Sequence, residues 1–222
     1  MIHVYRSTDP SAPILNGTIG SLVGLLKACL VSGYGVGDDL KPGIGWHIDE
    51  STDGLKAAFY SLDVTSGQPI LYLDDSGPGA GGAKFATALG IQAGEWGGFD
   101  VMDEPVYDTG KIFPTTAQSG FGSEFAKSFT ADTLARDWIL VGSAKAFYLF
   151  VDWTGRGFAA LDNDVACHGF GDLVTVSLAD QGLGFLSANM ESANSTIASF
   201  TGLRWSLGNI TPTEAVILSL IH

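Results

Sequence analysis

The sequence predicts a mainly β protein of the α+β class, an antiparallel β-sandwich-like architecture carrying one N-terminal amphipathic helix. Three observations lead there. Thirty glycines and eight prolines cut the 222 residues into short pieces. The apolar tracts between these breaks have the length of strands rather than helices. One segment departs from that pattern: Leu22, Leu25, Leu26, Cys29 and Leu30 recur at i, i+3, i+4, i+7 and i+8, an apolar stripe on a helix of about residues 20–32. Thr18 or Ser21 offers a hydroxyl to an amide of the first turn, and Gly33 can take the left-handed conformation that ends the last. Lys27 points to solvent. A membrane-spanning helix is excluded, because about 20 apolar residues are needed to cross a bilayer and Lys27 interrupts a shorter run.

In chain order the expected strands are Ile2–Arg6, Ile44–Ile48, Leu55–Leu62, Ile70–Leu73, Lys84–Ile91, Trp138–Val141, Phe147–Trp153, Leu173–Leu178, Leu183–Met190 and Val216–Leu220. The tracts Ile139–Val141 and Phe147–Val151 flank Gly142-Ser143-Ala144-Lys145, which predicts a hairpin whose connection carries the glycine a turn needs. Leu71–Gly77 and Tyr148–Gly155 share an order of strand, acidic residue and glycine. Two related units would give that order, and so would any two hairpin ends. Asp108–Ser128, with Pro114 and several Gly, Ser and Thr residues, is expected to be an extended exposed connection. It divides the chain into β-rich units at 1–110 and 111–222, or bends one continuous domain.

At 45% hydrophobic the chain has ample material for a core. Eleven basic against 24 acidic residues give a formal charge of −13, which repels phosphate backbones and anionic lipid surfaces, so neither nucleic acid nor a membrane is an expected partner. The same charge keeps copies soluble before they assemble on a positively disposed surface. Two cysteines cannot build a disulfide framework. Cys29 sits on the apolar stripe, and both are expected to be reduced. No basic region leads into an apolar run and cleavage site at the N-terminus, so synthesis in a cytoplasm is expected.

No constellation of residues supports catalysis. Ser76–Lys84 is rich in glycine but lacks the spacing of a phosphate-binding loop, since Ala83 separates Gly82 from Lys84. Asp162-Asn163-Asp164 with Asp172 could hold a lone calcium ion. An EF-hand is not available, because Cys167 stands where its glycine belongs, and a solvated acidic turn is the plainer alternative. Asp100, Asp103, Glu104 and Asp108 are expected to be charged turn residues rather than a general acid and base. His3, His47, His168 and His222 are scattered, and Cys167-His168 is the one adjacent pair of soft ligands, too few for zinc. Gly120–Glu124 lacks the glycine after Ser123 that a nucleophile elbow requires. The expectation is therefore no enzyme, no catalytic, cofactor-binding or metal residues, and no cofactor. Trp46, Trp96, Trp138, Trp153 and Trp205 could stack on sugars or fill a β core. Trp138 and Trp153 are expected in the core, and Trp96, between Gly94 and Gly97-Gly98, is the candidate for exposure.

The opening Tyr5-Arg6-Ser7-Thr8-Asp9, Ala12-Pro13, Gly17-Thr18, Gly20-Ser21-Leu22 and Ala28–Gly35, followed by Gly45-Trp46, resemble a family of tailed-bacteriophage virion structural proteins. Leu71–Ala83, Phe113–Gln118, Trp138–Val151 and Phe170-Gly171-Asp172 are similar to later blocks of that family in the same order. The resemblance runs from the start to about Asp172. It implies a particle component made in the host bacterial cytoplasm, whose partners are other virion proteins and further copies of itself. The first placement is a head decoration or cement protein bound to the major capsid protein at many equivalent sites. The second is the neck, tail or fibre. A different class is a virion-associated carbohydrate-binding module or glycan hydrolase, which would place two carboxylates roughly 5 to 9.5 Å apart in a groove. The Val4–Pro13 lead-in or the Asp108–Ser128 connection is expected to order against a neighbouring subunit.

Overall fold

The computed structural model describes residues 1–63, 70–75, 85–92, 96–99, 105–107, 123–128, 130–158, 165–172, 183–189, 199–201, 204–205 and 208–209. The strands expected at Leu173–Leu178 and Val216–Leu220, the glycine-rich loop at 76–84, Asp100, Asp103, Glu104 and Asp108, the acidic turn at 162–164, Gly120–Gly122 and His222 lie outside these residues. So do the side chains of Trp96 and Trp205.

Strands dominate over one short helix, and every pairing among the described residues is antiparallel. In order they are β1 (His3–Arg6), β2 (His47–Glu50), β3 (Lys56–Tyr60), β4 (Ile70–Asp74), β5 (Phe85–Gln92), β6 (Trp96–Phe99), β7 (Pro105–Tyr107), β8 (Ser123–Ala126), β9 (Trp138–Gly142), β10 (Ala146–Asp152), β11 (Val165–Asp172), β12 (Leu183–Asn189), β13 (Ser199–Thr201), β14 (Arg204–Trp205) and β15 (Gly208–Asn209). One sheet has the order β1-β9-β10-β11-β12-β13 and the other β2-β3-β4-β5-β8, with two-stranded ribbons β6-β7 and β14-β15. Among the described residues, strand pairing crosses the division expected at residue 110, as does the bridge between Leu15 and Arg136. β1 joins the sheet of β9 to β13, and β8, inside the tract expected to be an extended connection, joins β5.

The β9–β10 hairpin follows from its alternation. Trp138 and Leu140 on one strand and Phe147, Leu149 and Val151 on the other point inward, with Val151 opposite Trp138 and Phe147 opposite Gly142. Its connection is tighter than the four residues expected: the Ser143 amide donates to the Ala146 carbonyl at 2.8 Å and leaves three residues outside the strands. Trp46 Nε1 donates to the Ser143 carbonyl at 2.9 Å, and the Ser61 hydroxyl to that of Ala144, so this turn is tied to β3 and to the chain before β2.

The helical segment differs from the single α-helix expected. Ser21–Leu26 (α1) is α-helical, and Lys27–Ser32 continues as a π-helical turn, closed by the Gly33 amide donating to the Ala28 carbonyl at 2.8 Å. The wider turn frees two carbonyls. Cys29 accepts from the Ile44 amide at 3.3 Å and Leu30 from the Trp46 amide at 3.0 Å. Those contacts occupy Ile44 and Trp46, so β2 starts at His47 instead of Ile44. Gly43 is required beside them, since a Cβ there would lie 2.1 Å from the Val31 carbonyl oxygen.

Leu22, Val23, Leu25, Leu26, Cys29 and Leu30 are buried, and they belong to one cluster with Phe59, Leu71 and Leu73 of one sheet and Trp138, Leu140, Phe147, Leu149, Val151 and Phe170 of the other. Each fully buried Leu or Phe contributes about 1.5–3 kcal/mol by leaving water. Trp46 meets Phe147 edge-on at 5.5 Å between ring centroids and Phe170 at 5.9 Å. Among the described residues, no helix is long and apolar enough to cross a membrane.

Candidate interaction surface

The first turn of α1 is capped from far away. Neither Thr18 nor Ser21 caps it: the Thr18 hydroxyl donates to Asn16 Oδ1 at 2.6 Å and the Ser21 hydroxyl to the Asn16 carbonyl at 2.8 Å. Asp75, at the end of β4, takes that role. Its Oδ2 accepts the Leu22 amide at 2.9 Å, and its backbone carbonyl accepts the Gly20 amide at 3.1 Å. Lys127, just past β8, donates from Nζ to Asp75 Oδ1 and to the Thr18 carbonyl at 2.7 Å. Both side chains of this pair are fully buried. Burial pushes the Asp75 carboxyl above the usual carboxylate range, against the opposing pull of Lys127 and of the Leu22 and Val23 amides.

The segment before α1 is clamped from its other side. The Arg136 amide donates to the Leu15 carbonyl at 2.8 Å and the Gly17 amide to that of Asp132 at 2.9 Å. Beneath the 130–135 loop the buried Arg136 guanidinium satisfies a full set of acceptors. Nη2 meets both Asp132 oxygens at 3.0 and 3.2 Å and Thr130 Oγ1 at 3.0 Å, Nη1 the Leu134 carbonyl at 2.9 Å, and Nε the Trp153 carbonyl at 3.3 Å. The Thr130 hydroxyl and the Arg136 charge in turn hold the Asp132 carboxyl below its ordinary value. On this locked pair of segments, large apolar side chains face outward: Ile14 is 65%, Ile19 49% and Leu134 67% exposed. Such side chains on a fixed backbone suit protein contact, because little conformational freedom remains to be lost on binding.

A second display lies on the loop between Tyr34 and Lys41, whose backbones exchange hydrogen bonds at 2.9 and 2.8 Å. Val36 and Leu40, 80% and 57% exposed, flank exposed Asp38 and Asp39. Asp9 holds this loop to β1. Its Oδ2 accepts the Tyr34 hydroxyl at 2.7 Å and the Arg6 amide at 2.9 Å, with Lys41 Nζ at 3.7 Å. Burial opposes ionisation of Asp9, but the Tyr34 and Arg6 hydrogen bonds and the Lys41 and Arg6 charges outweigh it and lower its pKa. Ionised Asp9 therefore contributes stability in full above the unfolded carboxyl value of about 3.9, and that contribution is lost as pH falls through the lower folded value. The expected gap in unfolding free energy between the wild type and Asp9→Asn is about 1.5–3 kcal/mol at neutral pH and narrows below pH ~4. Thermal unfolding of both proteins as a function of pH measures it, and a gap unchanged by acid would refute it.

Asp9 also shapes an edge. β1 is the outer strand of its sheet, and Asp9 occupies the outward groups of Arg6, taking its amide on the carboxylate and giving its own amide to the Arg6 carbonyl at 3.1 Å. The Val4–Pro13 lead-in, expected to order against a neighbour, is thus held by its own chain: β1 pairs β9, and the Pro13 carbonyl accepts Trp138 Nε1 at 3.1 Å.

Strand alternation separates the soft ligand pair. Ala166, His168 and Phe170 share one face of β11, where Ala166 and Phe170 enter the core, and Cys167 lies on the other. Burial pushes the Cys167 thiol up to about 12 and raises that of Cys29 as well. Among the described residues no three His, Cys, Asp or Glu side chains converge as metal ligands. Trp46, Trp138 and Trp153 are buried and offer no stacking platform, while His47 stacks on Tyr60 across β2 and β3 at 5.4 Å. The pairing of Asp75 with Lys127 and the clamp of Arg136 escape a reading by spacing, because their partners are brought together by the sheets. Comparison of the chain with known protein families, curated proteins and solved structures gave no match.

Proposed function

We propose that this chain is a non-enzymatic structural subunit of a tailed-phage particle, a head decoration or cement protein that binds the major capsid protein. In this reading the two sheets pack as a sandwich-like body with the amphipathic helix laid against it. Further copies and other virion proteins are its partners, and the virion is its location. The observation that carries the reading is the set Ile14, Ile19 and Leu134, solvent-facing on segments whose backbones are clamped by Arg136 and Asp75. The sequence resemblance supports it from a second side. Its blocks coincide with packing devices: Gly17 against the 130–132 backbone, Trp46 and Trp138 in the core, and Asp75 under α1. The net charge of −13 favours a positively disposed partner surface.

The abundance of the polypeptide in purified virions tests the proposal. A copy number comparable to that of the major capsid protein is expected, a few copies per particle would move it to neck, tail or fibre, and absence from the virion would end the structural reading. The surface itself has a separate test. The double variant Ile14→Asp/Leu134→Asp is expected to keep its stability within about 0.5 kcal/mol per exposed substitution and to bind particles about tenfold more weakly or worse. Wild-type incorporation by this variant would exclude the face from the interface.

A further inference from the structure

Asp75 and Lys127 combine three features that an ion pair alone does not require. Both side chains are wholly withdrawn from solvent. The carboxyl is polarised on the side away from the amine, where Oδ2 accepts the Leu22 amide at 2.9 Å. The amine is oriented by a second acceptor, the Thr18 carbonyl at 2.7 Å, while it donates to Oδ1. We propose that the two side chains condense into an intramolecular amide joining Asp75 Cγ to Lys127 Nζ, so that the mature chain carries a covalent cross-link.

The chemistry balances without a further reactant. The reaction begins as one proton passes from Nζ to the carboxylate, leaving a neutral amine and a neutral acid withdrawn from bulk solvent. Burial already biases Asp75 toward its protonated form. The Nζ lone pair then attacks Cγ. Negative charge gathers on Oδ2, where the Leu22 amide stabilises it. A proton of the amine moves to Oδ1 along the hydrogen bond that joins them, the Cγ–Oδ1 bond breaks, and one water leaves. Fixing amine and acid in contact raises their effective concentration to roughly 10⁵ M or more, which is what an unactivated acid needs to react. Burial of both side chains from bulk solvent then protects the product from hydrolysis.

The cross-link has a mechanical meaning. In the sheet order, β5 lies between β4 and β8, so a bond from the end of β4 to the end of β8 staples three strands. It closes a loop between residues 52 positions apart and at the same time fixes the cap of α1. This inference stands on the geometry of the pair and is independent of the particle reading.

The intact mass of the full-length wild-type protein, measured after folding and then complete denaturation, tests it. The expected mass is lower than that of the sequence by one water, with no tryptic cleavage after Lys127 and a branched peptide joining the segments of Asp75 and Lys127. Lys127→Arg keeps a positive charge but is expected to have its full sequence mass. Asp75→Asn is expected to lose ammonia in place of water, because the leaving group is then the amide nitrogen. A wild-type chain with its full sequence mass and ordinary cleavage at Lys127 overturns the proposal, whatever the variants do.

Discussion

Lys127→Met is expected to destabilise the fold by about 3–5 kcal/mol, the cost of leaving Asp75 buried without its partner, and loss of the proposed cross-link adds to it. The effect is large because Asp75 does three things at once. Its carboxylate takes the Leu22 amide in the first turn of α1, its backbone carbonyl takes the Gly20 amide, and its backbone amide donates to the Leu55 carbonyl at 2.9 Å. With Met in place of Lys127 the Thr18 carbonyl also loses its shorter hydrogen bond and keeps only the Ser21 amide at 3.4 Å, at a pair whose side chains are fully buried. Denaturant unfolding of wild type and variant measures the change, and a loss under about 1 kcal/mol would place the pair among surface-like ion pairs. Lys127→Arg is the informative companion. It keeps a positive charge but brings a broader, planar head into space shaped for a compact ammonium, and since neither variant can form the proposed cross-link, its stability relative to Lys127→Met separates charge from shape.

How much of this was legible in the sequence depends on how far apart the interacting residues lie. Tracts with an alternating or continuous apolar pattern, such as Lys56–Tyr60, Ile70–Asp74 and the Trp138–Asp152 hairpin, were read within a few residues of where they lie, because burial of one strand face is written in local order. β11 was missed. Val-Ala-Cys-His-Gly-Phe-Gly-Asp has small side chains, two glycines and no polar alternation, and it is a strand because β10 and β12 pair it on both sides. β8 was missed for the related reason that Ser123–Ala126 sits in a tract of turn-forming residues and gains its identity from β5. The π-helical turn was illegible as well: its stripe fits an α-helix, and only the amides of Ile44 and Trp46 draw its carbonyls out. Asp75 stands beside Asp74 before a glycine-rich tract, and Lys127 lies near the end of the segment expected to be an exposed connection. Nothing in their local surroundings announces a pair that forms 52 positions apart.

Gly17→Ala should lower stability by about 3 kcal/mol, the upper end of what overpacking costs in a fitted interior. Gly17 has no positive φ to explain it, and its necessity is spatial. A Cβ at this position would lie 1.8 Å from the Thr130 carbonyl oxygen and 2.7 Å from the Asp132 amide nitrogen, so backbone rather than a yielding side-chain tip stands in the way. One of the two chains must move. If the 14–20 segment moves, the Gly17 amide leaves the Asp132 carbonyl and strain passes to Thr18, whose carbonyl holds Lys127. If the loop moves, Thr130 and Asp132 are pulled away from Arg136, a buried guanidinium that needs both. Either route joins the two clamps that fix Ile14, Ile19 and Leu134, so under the proposed function Gly17→Ala is expected to weaken particle binding as well as folding. Gly24→Ala is the matched control: a Cβ there meets no atom within 4 Å, and alanine favours the helix by about 0.5–1 kcal/mol, so stability should stay level or rise. Parallel unfolding of the two variants measures the contrast, and equal stabilities would mean that the approach of the 14–20 segment to the 130–135 loop is looser than the backbone contacts require.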